Sequence, residues 1–188
     1  MDFPWGSETS AKFITNVGLI TSNGPNGMNI MSAEWTHHVS YSPSLIAVCV
    51  GQGKATNENI KATKEFGVSI AAADQNVLAS VAGGSSGKKV DKIAALKELG
   101  FKFYKAKKVN LIMVEGAVLN AECKVVHIAE LGDHTMFVGE VLEAKISAKE
   151  PTIYHGNKHF KVGEKIHEPP AEELERIKKV VERFGKTA

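Results

Sequence analysis

The sequence predicts a mainly β protein, β-rich within the α+β class: an antiparallel, barrel-like sheet decorated by helices. Three observations lead there. The segments 111–131 (LIMVEGAVLNAECKVVHIAEL) and 134–147 (HTMFVGEVLEAKIS) are both strand-like, and only Gly132-Asp133 separates them, so they should pair as an antiparallel hairpin. Asn23-Gly24-Pro25-Asn26-Gly27 is a turn signal between two earlier strand-like runs. Strands and helices alternate only as far as Leu99, whereas a doubly wound parallel sheet needs that alternation throughout.

Taken in order, Phe13 to Thr21 (FITNVGLIT) reads as the first strand and Met28 to Tyr41 (MNIMSAEWTHHVSY) as the second. Ser42-Pro43 breaks the second strand before the apolar run SLIAVCVG from Ser44. Thr56 or Asn57 can cap a helix running to about Phe66. Strand GVSIAAAD follows, then a short helix over Gln75 to Ala82 and the small-residue loop Gly83-Gly84-Ser85-Ser86-Gly87. Asp91 opens the helix DKIAALKEL, which Gly100 stops. In the hairpin, Ala121, Cys123 and Val125 should face one way and Glu122 and Lys124 the other. Pro169-Pro170 starts a last helix to about Phe184. Its stripe of Leu174, Ile177, Val181 and Phe184 suits packing on the chain's own core or, alternatively, on a partner subunit. One domain over 1–188 is expected, with the barrel over about 13–165 and the helix over about 170–185.

Composition narrows the function classes. With 188 residues, 43% hydrophobic and 23% charged, the chain is an ordinary globular one that can bury a full core. A net charge of +2 offers no nucleic-acid patch and no membrane-surface character. The groups Lys88, Lys89, Lys92 and Lys105, Lys107, Lys108 lack interleaved aromatics and read as solvated faces. Cys49 and Cys123 lie in apolar runs, with neither metal spacing nor a disulfide framework, so buried thiols in a reducing cytosol are expected. The N-terminus lacks the pattern of a signal peptide and no run reaches membrane-span length, which makes a cytoplasmic location the expectation.

The most informative stretch is Ser44 to Asp74. An apolar strand runs into a loop with Gly51, Gly53, Lys54 and Thr56, a short helix follows, and a second apolar strand closes the unit. Glycines let a backbone approach a ligand, and free N–H groups at a helix start favour an anion. Two nucleotide motifs nearly fit. A Walker A loop would need glycine at Val48 and Ser or Thr at Ala55; a Rossmann fingerprint from Gly51 would need glycine at Thr56. Asp74 stands where a ribose-binding acid would, but the antiparallel second half argues against that fold.

Histidines give no metal site. His37 and His38 are adjacent on a strand and point to opposite faces, and Gly156-Asn157 argues against a helix presenting both His155 and His159. His127, in an apolar strand, reads as a satisfied structural residue.

The ordered set NGPNGMNIMSAEWT, the Ser-Pro break, SLIAVCVGQGKATNENIK, GGSSGKKVDK and GDHTMFVGEV resembles the flavin reductase-like proteins, over about Phe13 to Lys158. That family includes flavin reductases, an archaeal ferric reductase and flavoredoxin. The resemblance implies an FMN-binding split β-barrel and a homodimer with FMN near the subunit interface. By position, Met31, Ser32, Ala33, Glu34, Trp35 and Thr36 would lie along the isoalloxazine ring. Cys49, Val50, Gly51, Gln52, Gly53, Lys54, Ala55, Thr56 and Asn57 would wrap the ribityl chain and phosphate, and Ser85, Ser86 and Gly87 would close over the cofactor. His134, after the Gly-Asp turn, and Lys158 match positions near the NADH or NADPH reductant, with His134 the nicotinamide-proximal catalytic candidate.

The residues themselves agree on the phosphate: Lys54 offers a cation, Thr56 a hydroxyl and Asn57 a helix-start amide, a set suited to a phosphomonoester. Thr56 and Asn57 could equally be plain helix caps, Gly83–Gly87 a plain connector, Trp35 a packed aromatic, and Met28 and Met31 core fillers. No nucleophile elbow, Ser-His-Asp order or paired carboxylates stand out, as expected when a cofactor carries the chemistry. The expectation is an NAD(P)H-dependent flavin oxidoreductase delivering electrons to a small-molecule acceptor, such as free flavin or a ferric chelate. The alternatives are a flavoredoxin-like FMN carrier fed by a redox protein partner, and a flavin-free regulatory domain.

Overall fold

A computed structural model of the chain describes residues 2–184. After a 3-10 turn (Ser10–Lys12) come β1 (Thr15–Asn16), β2 (Gly18–Ser22), β3 (Asn29–Ala33), β4 (Thr36–Tyr41), β5 (Ser44–Gly51), α1 (Ala55–Thr63), β6 (Glu65–Ile70), α2 (Asn76–Gly84) and α3 (Lys92–Glu98). The second half adds β7 (Phe103–Lys105), β8 (Ile112–Val114), β9 (Leu119–Leu131), β10 (His134–Ile146), β11 (Thr152–His155), β12 (Lys158–Lys161) and α4 (Ala171–Arg183).

Seven strands form one antiparallel sheet in the order β3-β2-β6-β9-β10-β5-β4. Its two outer strands, β3 and β4, are consecutive in the chain, with only Glu34 and Trp35 between them. The sheet must therefore curl until its edges approach, and no ladder closes the gap among the described residues. This open, curled antiparallel sheet is the architecture expected of a split barrel. The long hairpin β9–β10 turns at Gly132-Asp133 as its sequence indicated, with Gly132 at φ +57°.

Strand alternation divides the core in two. Ile20, Val48, Val50, Phe66, Val68, Cys123 and Phe137 fill the barrel, while Leu19 and Ile30 face outward against Leu78 and Ala82 of α2 and Leu96 of α3. Both helices thus pack outside β2 and β3, on one side of the gap. No helix among the described residues is long and apolar enough to cross a membrane.

Several sequence expectations are corrected. The first strand breaks at Val17, putting β1 in a small sheet with β11 and β12, and the second breaks at Glu34-Trp35. β7, β11 and β12 are too short to show periodicity. Val125 pairs with Gly139 and His127 with Val138, so Val126 is an extra residue that resets the alternation. Hence His127 is exposed rather than a satisfied interior residue. Glu122 is buried beside Ala121 and Cys123, on the opposite face, where its carboxylate accepts the backbone N–H groups of Lys107 and Lys108. α1 starts at Ala55 and ends at Thr63, where Lys64 takes φ +60°; Lys54 holds the N-cap position, so neither Thr56 nor Asn57 is the cap. Helix α4 buries none of its residues, and Leu174, Ile177, Val181 and Phe184 are all exposed, so the stripe does not pack on the chain's own core.

Candidate functional site

The gap between β3 and β4 collects most of the sequence-predicted residues. β5 ends at Gly51 directly opposite His134, the first residue of β10. A side chain on Gly51 would begin 3.6 Å from His134 Nε2 and 3.7 Å from the Lys54 stem, so both side chains lie over that glycine. The Trp35 indole, 44% exposed, stands 4.6 Å from the His134 ring at a 52° tilt. The backbone carbonyl of Trp35 accepts from Cys49 N–H at 3.0 Å, which ties the bend to β5. Trp35, His134, Gly51 and Lys54 therefore form one continuous surface at the gap.

Electrostatics distinguish this end of the barrel. Asp133 Oδ1 lies 2.7 Å from His134 Nδ1, and that hydrogen bond holds the Asp133 carboxyl below its ordinary value. Glu34 is partly buried, and the loss of water pushes its carboxyl up, with the nearby His134 charge opposing the rise. Glu34 also reaches the field of Tyr154 on β11, whose phenol is pushed up first by burial and then by that carboxylate.

Behind the gap lies an anion cradle. No side chain caps α1, so its first-turn N–H groups have no side-chain acceptor. Thr56 and Asn57 are buried: Thr56 Oγ1 accepts from Asn29 Nδ2 at 2.8 Å, and Asn57 Nδ2 donates to the Val50 carbonyl at 3.0 Å. These bonds lock β3, β5 and α1 together around Lys54. Gly87 presses on the Asn29 carboxamide so closely that a Cβ would collide with it. Gly83 and Gly84 belong to the end of α2 rather than to a loop, while Ser86 Oγ accepts from Lys88 N–H and its carbonyl from Lys89 and Val90. Segment 85–90 is thus an organised turn against the cradle. On the ring side, Ser32 Oγ donates to the Ala79 carbonyl at 2.6 Å, and Met31 packs on the barrel core.

Sequence reasoning missed Lys92. Its place beside Lys88 and Lys89 in the sequence suggests a solvated face, yet it is only 3% exposed. Its ammonium donates to the Ala82 carbonyl at 2.9 Å and forms no ion pair among the described residues. Burial, reinforced by repulsion from Lys54, brings its pKa down to about 8. A readable signal existed: Lys92, Ile93 and Leu96 share one helix face by their spacing, which puts a lysine on the buried stripe. Two neighbouring ammonium groups, an open helix N-terminus and no acid among them fit a phosphate.

Other candidates lie apart. Lys158 opens β12, exposed beside the Gly156-Asn157 turn, and no hydrogen bond or ion pair joins it to His134 among the described residues. Cys49 is half-buried and Cys123 fully buried; both are free thiols, and burial pushes Cys123 up to about 12. Asp74 pairs with Lys149 at 2.7 Å. Among the described residues no group of three His, Cys, Asp or Glu side chains could hold a metal ion.

Known proteins share this sequence pattern and this fold. The profile of the family described as "Flavin reductase like domain" matches residues 10–164. An uncharacterized protein of Archaeoglobus fulgidus is 36% identical over 124 residues, 66% of this chain and 68% of its own length. The structure of an NADH:FAD oxidoreductase of Streptomyces globisporus C-1027 superposes with a TM-score of 0.75 at 27% identity, covering 83% of this chain and 90% of that one. The flavoredoxin of Methanosarcina acetivorans superposes with a TM-score of 0.77 at 21% identity, over 94% and 98% of the two chains.

Proposed function

The chain belongs to the flavin reductase-like family, and on that premise we propose that the protein is an NAD(P)H-dependent flavin oxidoreductase that passes electrons on to a small acceptor. The observation that carries this is the continuity of two unlike surfaces. A cationic cradle built for one phosphate runs into an open aromatic edge at the barrel gap. FMN has that combination of a terminal phosphate and a flat ring, and FAD carries the same phosphate within a pyrophosphate. When bound, flavin supplies the hydride-accepting chemistry.

The chain's own residues bind, orient and shield. Lys54, Lys92 and the first turn of α1 hold the phosphate. Asn29 and Thr56 keep the cradle in shape, and residues 85–87 close against it. Glu34, Trp35 and Thr36 present the bend along which the ring would lie. His134, oriented through Nδ1 by Asp133, keeps Nε2 free toward Gly51, which suits a group that positions the nicotinamide. Lys158 belongs to the reductant side of the same reading. A homodimer would cover the apolar stripe of α4 and the exposed Trp35. Related names support an NADH-driven reductase: the Streptomyces globisporus protein is an NADH:FAD oxidoreductase, and a 21%-identical Pseudomonas aeruginosa relative is the reductase component of 4-hydroxyphenylacetate 3-monooxygenase.

The test is anaerobic addition of NADH or NADPH to the flavin-loaded protein. Rapid bleaching of the flavin band supports a reductase. A flavin that binds but stays oxidised points to a carrier fed by a protein partner, and a protein that takes up no flavin ends both readings. Changing Lys54 and Thr56 together to Ala should weaken flavin retention; unchanged affinity would remove both the phosphate role of Lys54 and the supporting role of Thr56.

A further inference from the structure

We propose that α4 pairs in parallel with α4 of a second copy of this chain, in a heptad register that joins the two C-terminal arms; this deepens the homodimer reading above by naming one of its contacts. Helix α4 buries none of its residues, and Leu174, Ile177, Val181 and Phe184 are all exposed. A helix of this length owes most of its stability to the packing of its apolar face, and nothing covers that face among the described residues.

The stripe has coiled-coil spacing. Steps of three, four and three residues put Leu174 and Val181 at a positions and Ile177 and Phe184 at d positions, where two helices bury their seam. The flanking positions select the partner and its direction. Glu173 falls at g and Lys178 at the e position five residues on, so in a parallel pair each Glu173 faces the other copy's Lys178, twice over by symmetry. An antiparallel pair sets e against e and g against g. It leaves Glu173 without that cation and brings the two Lys178 ammonium groups together.

Both charges are available for that contact. Lys178 is exposed and forms no ion pair among the described residues, and Glu173 is held only by Arg176 at 3.4 Å on the exposed surface, a pair of small worth. The arm can also reach a neighbour. Residues 162–170 form neither helix nor strand and are all exposed, and at about 3.3 Å per residue they span up to about 30 Å. Two heptads make a short seam, and a barrel contact in the same dimer would supply the effective concentration it needs.

The experiment places a cysteine in the seam of the full chain. Ile177→Cys and, separately, Leu174→Cys are oxidised in air and run on a non-reducing gel beside the wild type, whose Cys49 and Cys123 set the background. A parallel pair puts each seam residue opposite its own copy, within disulfide reach, so both variants should give a covalent dimer that the wild type does not. In Ile177→Cys, adding Glu173→Lys should slow its formation about threefold, the scale of two exposed ion pairs, and adding Lys178→Glu as well should restore the rate. Absence of the covalent dimer, or no effect of the charge changes, would overturn the pairing. So would faster joining of Ile177→Cys to Val181→Cys than of either to itself, the mark of an antiparallel pair. A wild type that sediments as a dimer while both cysteine variants stay uncrosslinked refutes the α4 contact alone; a wild type that sediments as a monomer refutes the homodimer reading with it.

Discussion

Replacing Lys92 by Met should make the flavin-free protein more stable while weakening its hold on flavin. An ordinary lysine titrates at 10.5, and burial brings Lys92 to about 8. At about 1.4 kcal/mol per tenfold change in affinity for the proton, holding that ammonium inside the folded protein costs about 3 kcal/mol below pH 8. Methionine fills similar space without a charge and gives up the bond to the Ala82 carbonyl, worth about 1 kcal/mol. The net expectation is a gain of about 2 kcal/mol at pH 7. The sign of the pH dependence follows from proton counting. Between about 8 and 10.5 the unfolded chain holds the Lys92 proton and the folded chain has released it, so this residue's penalty fades as pH rises. Urea denaturation of both apo proteins at pH 7, 8.5 and 10 measures it: the advantage of Lys92→Met should be greatest at pH 7 and shrink toward pH 10. Parallel stability profiles for the two proteins would refute the claim that an uncompensated buried ammonium is stored there. The same variant should lose flavin affinity, because stability given up at one position is what a preformed anion site demands.

Three other outcomes test separate parts of the structure. A Cβ on Gly139 would sit 2.6 Å from the Phe66 ring and 2.8 Å from Cys123 Cβ, so Gly139→Ala should destabilise by about 1–3 kcal/mol in a denaturation titration, whereas an unchanged midpoint would mean the barrel core yields there. Gly87→Ala should push Asn29 off Thr56 and weaken both FMN and FAD about tenfold, a hydrogen-bond-sized loss; retention of both affinities would show the Asn29–Thr56 bond to be irrelevant to the cradle. Glu34 titrates above its ordinary value of 4.5 because it is partly buried, and His134 holds it down. In His134→Ala its carboxyl should therefore titrate higher still by carbon-13 NMR, and a midpoint that falls would contradict the proposed proximity. Its raised value means the folded state keeps this proton longer, so the contribution of Glu34 to stability is lost as pH climbs past 4.5.

Much of the fold was legible because it is local. The hairpin β9–β10 follows from two long apolar runs around Gly132-Asp133, and α3 from Asp91 at its start and Gly100 at its end. What failed was phase and pairing. Period-two reasoning broke at Val126, because a bulge is a decision of the partner strand and leaves no trace in its own alternation. β1 and β2 read as one strand because nothing local shows that Thr15 pairs with Tyr154, across most of the chain. The candidate site divides the same way. Gly51, Lys54 and Thr56 stood out because loop glycines, a cation and a helix start are neighbours in sequence. Asn29 and Lys92 did not, since each joins the cradle only through tertiary contact.

The location of the site has a topological cause. A sheet whose first and last strands are joined by two residues must bend back on itself, and no ladder joins β3 to β4 among the described residues. The unpaired edges leave backbone donors and acceptors facing a gap, which is where a planar ligand with polar edges can replace the missing strand partners. The register β5–β10 then places His134 at Gly51, and the strand-to-helix turn after Gly51 aims the start of α1 at the same opening. If the gap took no part in ligand binding, lengthening the Glu34-Trp35 bend by two residues should leave flavin affinity unchanged. For a built ligand site, that insertion should abolish flavin binding while leaving the folded core, measured by its thermal transition, essentially intact.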